Sequence, residues 1–331
     1  MTHDPTQAAP AAAIAGTSYS DFDAPLFVAW QLNSACNLSC LHCCEEVGDH
    51  LFSDELTPEE VTFFLKQIVD LRIPYVAISG GEPLLHPRFF EISSFLRAHG
   101  TSLKVETNGL LIDRQVANRI GALGFRSVQV SVDGSTPQTF RMMRPNGDWE
   151  KVVEACDHLV AAGVTTEIVF VPSKFNIHET GDVIEMAYRM GTYGFYTGKI
   201  MRIGRAARNW DLLCPTETEY EKFFDVLKEK QTKYDGKMKI YYYPYDVVEE
   251  LRYRLDCPAA SLLVIPNGKV KLIGPLPFVC ADLRRHSLSE AWQRYKRAWR
   301  EPEVVTFAKR VVEDPRLLGE ANKWVELYPG C

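Results

Sequence analysis

The chain has 331 residues, 46% of them hydrophobic, and 37 basic against 43 acidic side chains give a formal net charge of −6. That length suits one large domain with a smaller one, and the mixed, mildly acidic balance excludes the basic surface of a nucleic-acid binder. No apolar run approaches the roughly 18 residues of a membrane span, and the first residues lack the basic start and apolar stretch of a secretory signal. The expectation is therefore a cytoplasmic protein with no nucleic-acid or membrane partner.

Residues 1–24, rich in Ala, Thr, Pro and Asp, predict a disordered tail. From residue 25, short β-branched runs alternate with amphipathic stretches. The first strand spans 26–32. The helix after it spans 57–71, with Thr57 as N-cap and Pro58 in its first turn. Four further pairs follow: 75–79 with 87–99, 102–106 with 113–123, 127–132 with 149–162, and 165–171 with 178–190. A sixth strand at 195–201 precedes a helix at 216–231. Six βα units in series predict a parallel sheet with right-handed crossovers, apolar on both faces. The fold class is α/β, a partial (β/α)6 barrel over residues 25–233. In such barrels the working groups stand at the C-terminal ends of the strands.

The residues with chemistry to offer follow those strands. The first delivers Cys36-Asn37-Leu38-Ser39-Cys40-Leu41-His42-Cys43, a C-x3-C-x2-C loop. Three thiolates on one loop suit a metal centre. Structural zinc takes four ligands, and no fourth follows at finger spacing, whereas three suit an iron–sulfur cubane with one iron left free. A zinc site stays the other reading, and Cys44 reads as structural. The second strand ends in Ser79-Gly80-Gly81-Glu82-Pro83, a turn or a close backbone approach to a ligand. The third ends in Glu106-Thr107-Asn108-Gly109, the fourth in Ser131-Val132-Asp133-Gly134. Ser131 and Asp133, two apart, point to one side of a strand. Arg144 offers a bidentate fit to a carboxylate, or a surface salt bridge. Val171, Asn176 and Arg202 follow the fifth and sixth strands.

Taken together, these motifs resemble the radical S-adenosylmethionine (SAM) superfamily. The resemblance implies that Cys36, Cys40 and Cys43 hold a 4Fe–4S cluster whose fourth iron chelates the amino and carboxylate groups of SAM. His42 takes the place of the family's usual aromatic residue near the adenine. Ser79, Gly80 and Gly81, with Glu82 nearby, would bind the SAM amino group. Asn108 belongs to the family's third-strand motif. Ser131 and Asp133 would meet the ribose, Arg144 the SAM carboxylate, and Arg202 the substrate or SAM.

Near Tyr234 the pattern changes to a small α+β extension over residues 234–331. Residues 238–243 predict a short strand, and Asn267-Gly268 between 262–265 and 270–273 predicts a hairpin. Cys257 precedes it, Cys280 follows it, Ser287 opens a helix, and the sequence reaches Cys331. The odd count of nine cysteines, without a signal peptide, argues for thiols and ligands rather than a disulfide framework. This region resembles the SPASM/Twitch extension of radical SAM enzymes. Cys257 and Gly268 match its pattern, but Ile273 stands where a cysteine is expected, and the later C-x2-C is missing. The resemblance implies one auxiliary 4Fe–4S cluster on Cys257, Cys280 and Cys331, with Cys214 as candidate fourth ligand. A set of structural cysteines is the alternative, and Cys156 reads as helix core.

By resemblance the function is reductive cleavage of SAM to a 5′-deoxyadenosyl radical. The radical takes hydrogen from a peptide or a small biosynthetic intermediate, leading to oxidation, decarboxylation, crosslinking or epimerisation. The electron would come from a low-potential donor such as a flavodoxin or ferredoxin. A non-catalytic iron–sulfur carrier or scaffold is the alternative. No residue stands out as a dedicated general acid or base.

Overall fold

A computed structural model describes residues 18–46 and 52–329. The first half contains β1 (Phe27–Gln31), α1 (Pro58–Asp70), β2 (Tyr75–Ser79), α2 (Phe89–Ala98), β3 (Ser102–Thr107) and α3 (Arg114–Leu123). It continues with β4 (Ser127–Ser131), α4 (Pro137–Met143), α5 (Trp149–Ala161), β5 (Thr166–Phe170) and α6 (Thr180–Arg189). Next come β6 (Gly194–Gly198), α7 (Arg205–Arg208), α8 (Trp210–Leu213), α9 (Glu217–Lys233) and β7 (Lys239–Tyr243). The remainder holds α10 (Val247–Asp256), β8 (Ser261–Val264), β9 (Lys269–Lys271) and β10 (Phe278–Asp282). It closes with α11 (Leu288–Ala298), α12 (Pro302–Glu313) and β11 (Val325–Glu326).

All strands form one sheet in the order β11-β10-β9-β8-β1-β2-β3-β4-β5-β6-β7. From β8 to β7 every neighbouring pair is parallel. The expected six βα units are present, and the sheet stays open, with β11 and β7 at its edges. The expected hairpin pairs Leu263 with Lys271 and Val264 with Val270. Gly268 in its turn has φ +79°, where glycine carries no Cβ penalty. Beyond residue 233 the chain extends this same sheet: β7 lies beside β6, and β8 beside β1.

Local signals account for the elements. Thr57 and Glu60 form a capping box on α1, with Pro58 at its start. Asp246 and Glu249 do the same for α10. One face of the sheet packs Val28, Trp30, Ile78, Val105, Val130 and Phe170 against the helices. The other face departs from the expectation of apolar surface on both sides. The alternation Leu103-Lys104-Val105-Glu106 turns polar side chains that way. There Lys104 pairs with Glu167 at 3.1 Å and lies over the Tyr196 ring.

Residues 18–24, expected as the end of a mobile tail, belong to the fold. Tyr19 and Phe22 pack on the core, and the Phe22 carbonyl accepts the Trp292 Nε1–H at 2.8 Å. Their aromatic surface is reason enough for the docking. The earlier part of that tail lies outside the described residues. No described helix is long and apolar enough to cross a membrane.

Candidate functional site

The cysteine loop leaves the C-terminal end of β1 and lies on the turn after β2. Leu32 N–H donates to Ser79 O, Gly81 N–H to Asn33 O, and Glu82 N–H to Ala35 O, each at 2.8 Å. Gly80 has φ +126°. A Cβ there would stand 2.5 Å from Asn33 O, and one on Gly81 would stand 2.0 Å from Ala35 O. The close approach these glycines permit is thus made to the cysteine loop's own backbone.

Glu82 is fully buried. Its Oε1 accepts from Thr107 Oγ1 at 2.8 Å and Leu84 N at 3.2 Å, and its Oε2 from Asn108 N at 2.8 Å. Burial raises its carboxyl pKa against the pull of these donors. Asn108, held this way, donates from Nδ2 to Asn37 Oδ1 at 2.7 Å. So the ends of β2 and β3 grip the cysteine loop through Glu82 and Asn108. Ser79 and Ser131 end their strands half-buried.

Asp133 sits beyond β4 and is fully buried. Its Oδ1 accepts from Val171 N at 2.8 Å; its Oδ2 accepts from Arg144 Nε at 2.7 Å and lies 3.2 Å from His42 Nε2. Burial works against its ionisation, but Arg144 and His42 hold its carboxyl well below the usual range. Arg144 is itself buried at 6% exposure, and its Nη1 donates to Cys40 Sγ at 3.3 Å. Contacts with ribose and with a SAM carboxylate are expected of Asp133 and Arg144; in the structure the two side chains face each other. The helix α4 between them folds back and brings the guanidinium onto the carboxylate, and two buried opposite charges need each other. The same burial excludes the surface salt bridge. His42 Nδ1 is a buried nitrogen with no hydrogen-bond partner.

A second set of contacts holds the loop from the other side. Leu41 N–H donates to Met143 O at 3.0 Å, and Asn146 bridges Ser39 N and Asn37 O. Arg205 gives its N–H to Cys43 O at 2.9 Å and its Nε–H to Cys40 O at 2.8 Å. Asn209 Nδ2 reaches Leu41 O at 3.0 Å. Gly204 approaches so closely that a Cβ would stand 2.4 Å from Cys44 O. Arg202 holds its guanidinium over the Trp210 ring. The sequence reading missed Asn146, Arg205 and Asn209. A donor aimed at a backbone carbonyl leaves no spacing pattern in the chain.

Cys40 is buried, and Cys36 and Cys43 are half-buried. Burial pushes the Cys36 thiol up to about 11, with Cys40, Glu82 and Cys43 adding to it and the Leu38 N–H opposing. Burial raises Cys40 as well, with Arg144 working against it. Among the described residues, no three His, Cys, Asp or Glu side chains are close enough to ligate a single metal ion. Zinc needs all its ligands on one ion, whereas a cubane takes each thiolate on a separate iron. Three thiols carried on one short loop, with the Arg144 guanidinium 3.3 Å from Cys40 Sγ, suit a cubane that takes one thiolate per iron.

Among the described residues, Cys214, Cys257 and Cys280 belong to no group of three ligating side chains. Cys280 is buried in β10 with its thiol against Val270 O at 3.4 Å, and burial pushes it up to about 12. Cys257 ends α10 half-buried, and Cys214 stands beside Lys174 and Glu217. The Cys331 assignment lies outside the described residues. Cys156 is buried in α5, as expected.

Residues 30–187 match the sequence model of the family described as "Radical SAM superfamily". The mycofactocin maturase MftC of Mycobacterium ulcerans is 33% identical over 63% of this chain. That match spans 56% of the relative, so the chain covers little more than half of it. The PqqA peptide cyclase of Rhizobium meliloti is 25% identical over 81% of this chain and 73% of its own length. In three dimensions, SuiB of Streptococcus suis bound to S-adenosylmethionine superposes with a TM-score of 0.67, at 12% identity, over 82% of this chain and 66% of that one. That likeness concerns the fold.

Proposed function

We propose that this chain, similar to the radical SAM superfamily and to its SPASM-like members, is an enzyme that cleaves SAM reductively and modifies a peptide by hydrogen abstraction. The observation that carries this reading is the C-x3-C-x2-C loop, gripped between the Gly80–Glu82 turn and the Arg144 and Arg205 side chains. Cys36, Cys40 and Cys43 would hold a 4Fe–4S cluster. When bound, that group supplies the electron that splits SAM into methionine and a 5′-deoxyadenosyl radical, for which the family is named.

The chain's own residues orient and shield. Glu82 and Asn108 fix the loop's approach to the β2 and β3 ends. We assign His42, Ser79, Gly80, Gly81 and Ser131 to the pocket that receives SAM, and Arg202 to its outer rim. The polar face bearing Lys104, Glu167 and Tyr196 is where we place the substrate. The names of two relatives, a maturase and a peptide cyclase, support a peptide, while a heme synthase of Methanosarcina barkeri, 26% identical over 85% of this chain, keeps a small molecule as the second reading. The electron would come from a flavodoxin or ferredoxin in the cytoplasm. An auxiliary cluster would draw on Cys257, Cys280 and Cys331.

Anaerobic reconstitution, iron and sulfide assay, and SAM cleavage with dithionite test the reading. Roughly four irons per chain support one cluster and roughly eight support two. Cys40→Ala should abolish 5′-deoxyadenosine formation, and retained cleavage would sink the assignment. A clustered protein that leaves SAM intact would instead be the carrier or scaffold.

A further inference from the structure

The contact between Arg144 and Cys40 concerns a different property of the site from ligation. Arg144 Nη1 donates to Cys40 Sγ at 3.3 Å. The guanidinium cannot drift from that sulfur, because Asp133 Oδ2 takes both its Nε–H and its Nη2–H at 2.7 Å. Asp133 is pinned in turn: Val171 N–H donates to its Oδ1 at 2.8 Å, and Asn176 Nδ2 donates to its backbone carbonyl at 3.0 Å. His42 Nε2 closes the group at 3.2 Å from the carboxylate and 3.5 Å from Arg144 Nη2. All of this is buried: Asp133 is 0% and Arg144 6% exposed, so water screens the charges little.

Hydrogen bonds to ligating sulfurs and the charge around them set the potential of an iron–sulfur centre. A reduced cluster carries one more negative charge than an oxidised one. A cation that donates to a ligating sulfur therefore stabilises the reduced form more. A carboxylate behind that cation works the other way, offsetting part of its charge. We propose that Asp133 and Arg144 act as an opposed pair that sets the reduction potential of the cluster held by Cys40, Arg144 raising it and Asp133 trimming that effect. Both are positioning residues acting through the Cys40 sulfur. The inference rests on the reading of Cys40 as a cluster ligand, and it concerns this chain's side chains outside the ligand set.

The opposed charges give the test its sign. The experiment is redox titration of the reconstituted cluster, followed by electron paramagnetic resonance of the reduced state, in wild type, Arg144→Gln and Asp133→Asn. Arg144→Gln removes the cation and should shift the potential to more negative values. At a fixed poise, the reduced-to-oxidised ratio should fall about tenfold, ~59 mV for a one-electron couple. Asp133→Asn keeps the cation, removes its counter-charge, and should shift the potential the opposite way. Arg144→Lys keeps a charge without the fork, and should fall between wild type and Arg144→Gln.

A wild-type protein that binds no iron and sulfide would overturn the reading of Cys40 itself. A clustered wild type whose variants show no shift, or shifts of one sign, would overturn only the opposed-pair inference. Loss of the cluster from all three variants, with far-ultraviolet circular dichroism unchanged, would also overturn it, since the pair would then serve assembly rather than potential.

Discussion

Gly81 shows how little room the site leaves. Its N–H donates to Asn33 O and that of Glu82 to Ala35 O, and a Cβ on Gly81 would stand 2.0 Å from Ala35 O. Backbone, unlike a side-chain tip, does not swing aside. Gly81→Ala should therefore displace the loop, lowering stability by about 1–3 kcal/mol as other overpacking substitutions do. Reconstituted iron should fall with it. Thermal denaturation and an iron assay check both, and an unchanged melting temperature with full iron content would contradict the packing described. Glu82 illustrates the complementary case. Its place in a Ser-Gly-Gly-Glu-Pro run is visible in the chain, but its three donors come from Leu84, Thr107 and Asn108. Burial makes such donors necessary here, since an unsatisfied buried polar group is costly.

At the scale of elements, the strong periodic segments were legible and the short ones were not. The hairpin at Asn267-Gly268 and the helix capped by Thr57 follow from local rules that act within a few residues. Helix α4 is a run of seven residues between Pro137 and Arg144, too short for a periodicity to emerge. Helices α10 and α12 carry local start signals in the Asp246–Glu249 capping box and Pro302. The packing of α6 against α9 makes a prediction about acid. Glu185 accepts from Lys230 and Lys233 at 2.6 Å and from Tyr234 Oη. The lysine donors, Lys230 first, pull its pKa down from 4.5 to about 2. A carboxylate depressed in the folded state adds stability above its unfolded pKa and loses it as pH falls through the folded value. Wild type should therefore lose stability as pH drops from 5 toward 2, and Glu185→Gln should lose less over that window. Urea midpoints at several pH values measure it; parallel pH profiles would refute the assignment.

Over the whole molecule, one hydrophobic cluster runs from Val28 and Trp30 through to Trp292, Val304 and Leu327. It crosses the residue 233 boundary because β8 pairs with β1 and α11 packs against α1 and β10. A shared core should unfold as one unit. Trp292 is fully buried and tied to Phe22 O, and Trp292→Ala should cost about 3–5 kcal/mol. Probes in the two regions, such as circular dichroism and the fluorescence of Trp30, should then report one shared midpoint, shifted by the substitution. Two separate transitions, only one of them shifted, would show that the regions are stable independently.

The chain by itself determined the serial βα units, the three-thiol loop and its likeness to the radical SAM superfamily. Each of these is written in near neighbours, through periodicity, capping and spacing. Tertiary structure alone decided that Asp133 faces Arg144, that the paired glycines lie against the backbone of the cysteine loop, and that the C-terminal strands widen the sheet of the core. Those outcomes depend on side chains from distant strands meeting in a buried space, where opposite charges must pair and a single Cβ has no room. Such constraints come into being only when the sheet assembles.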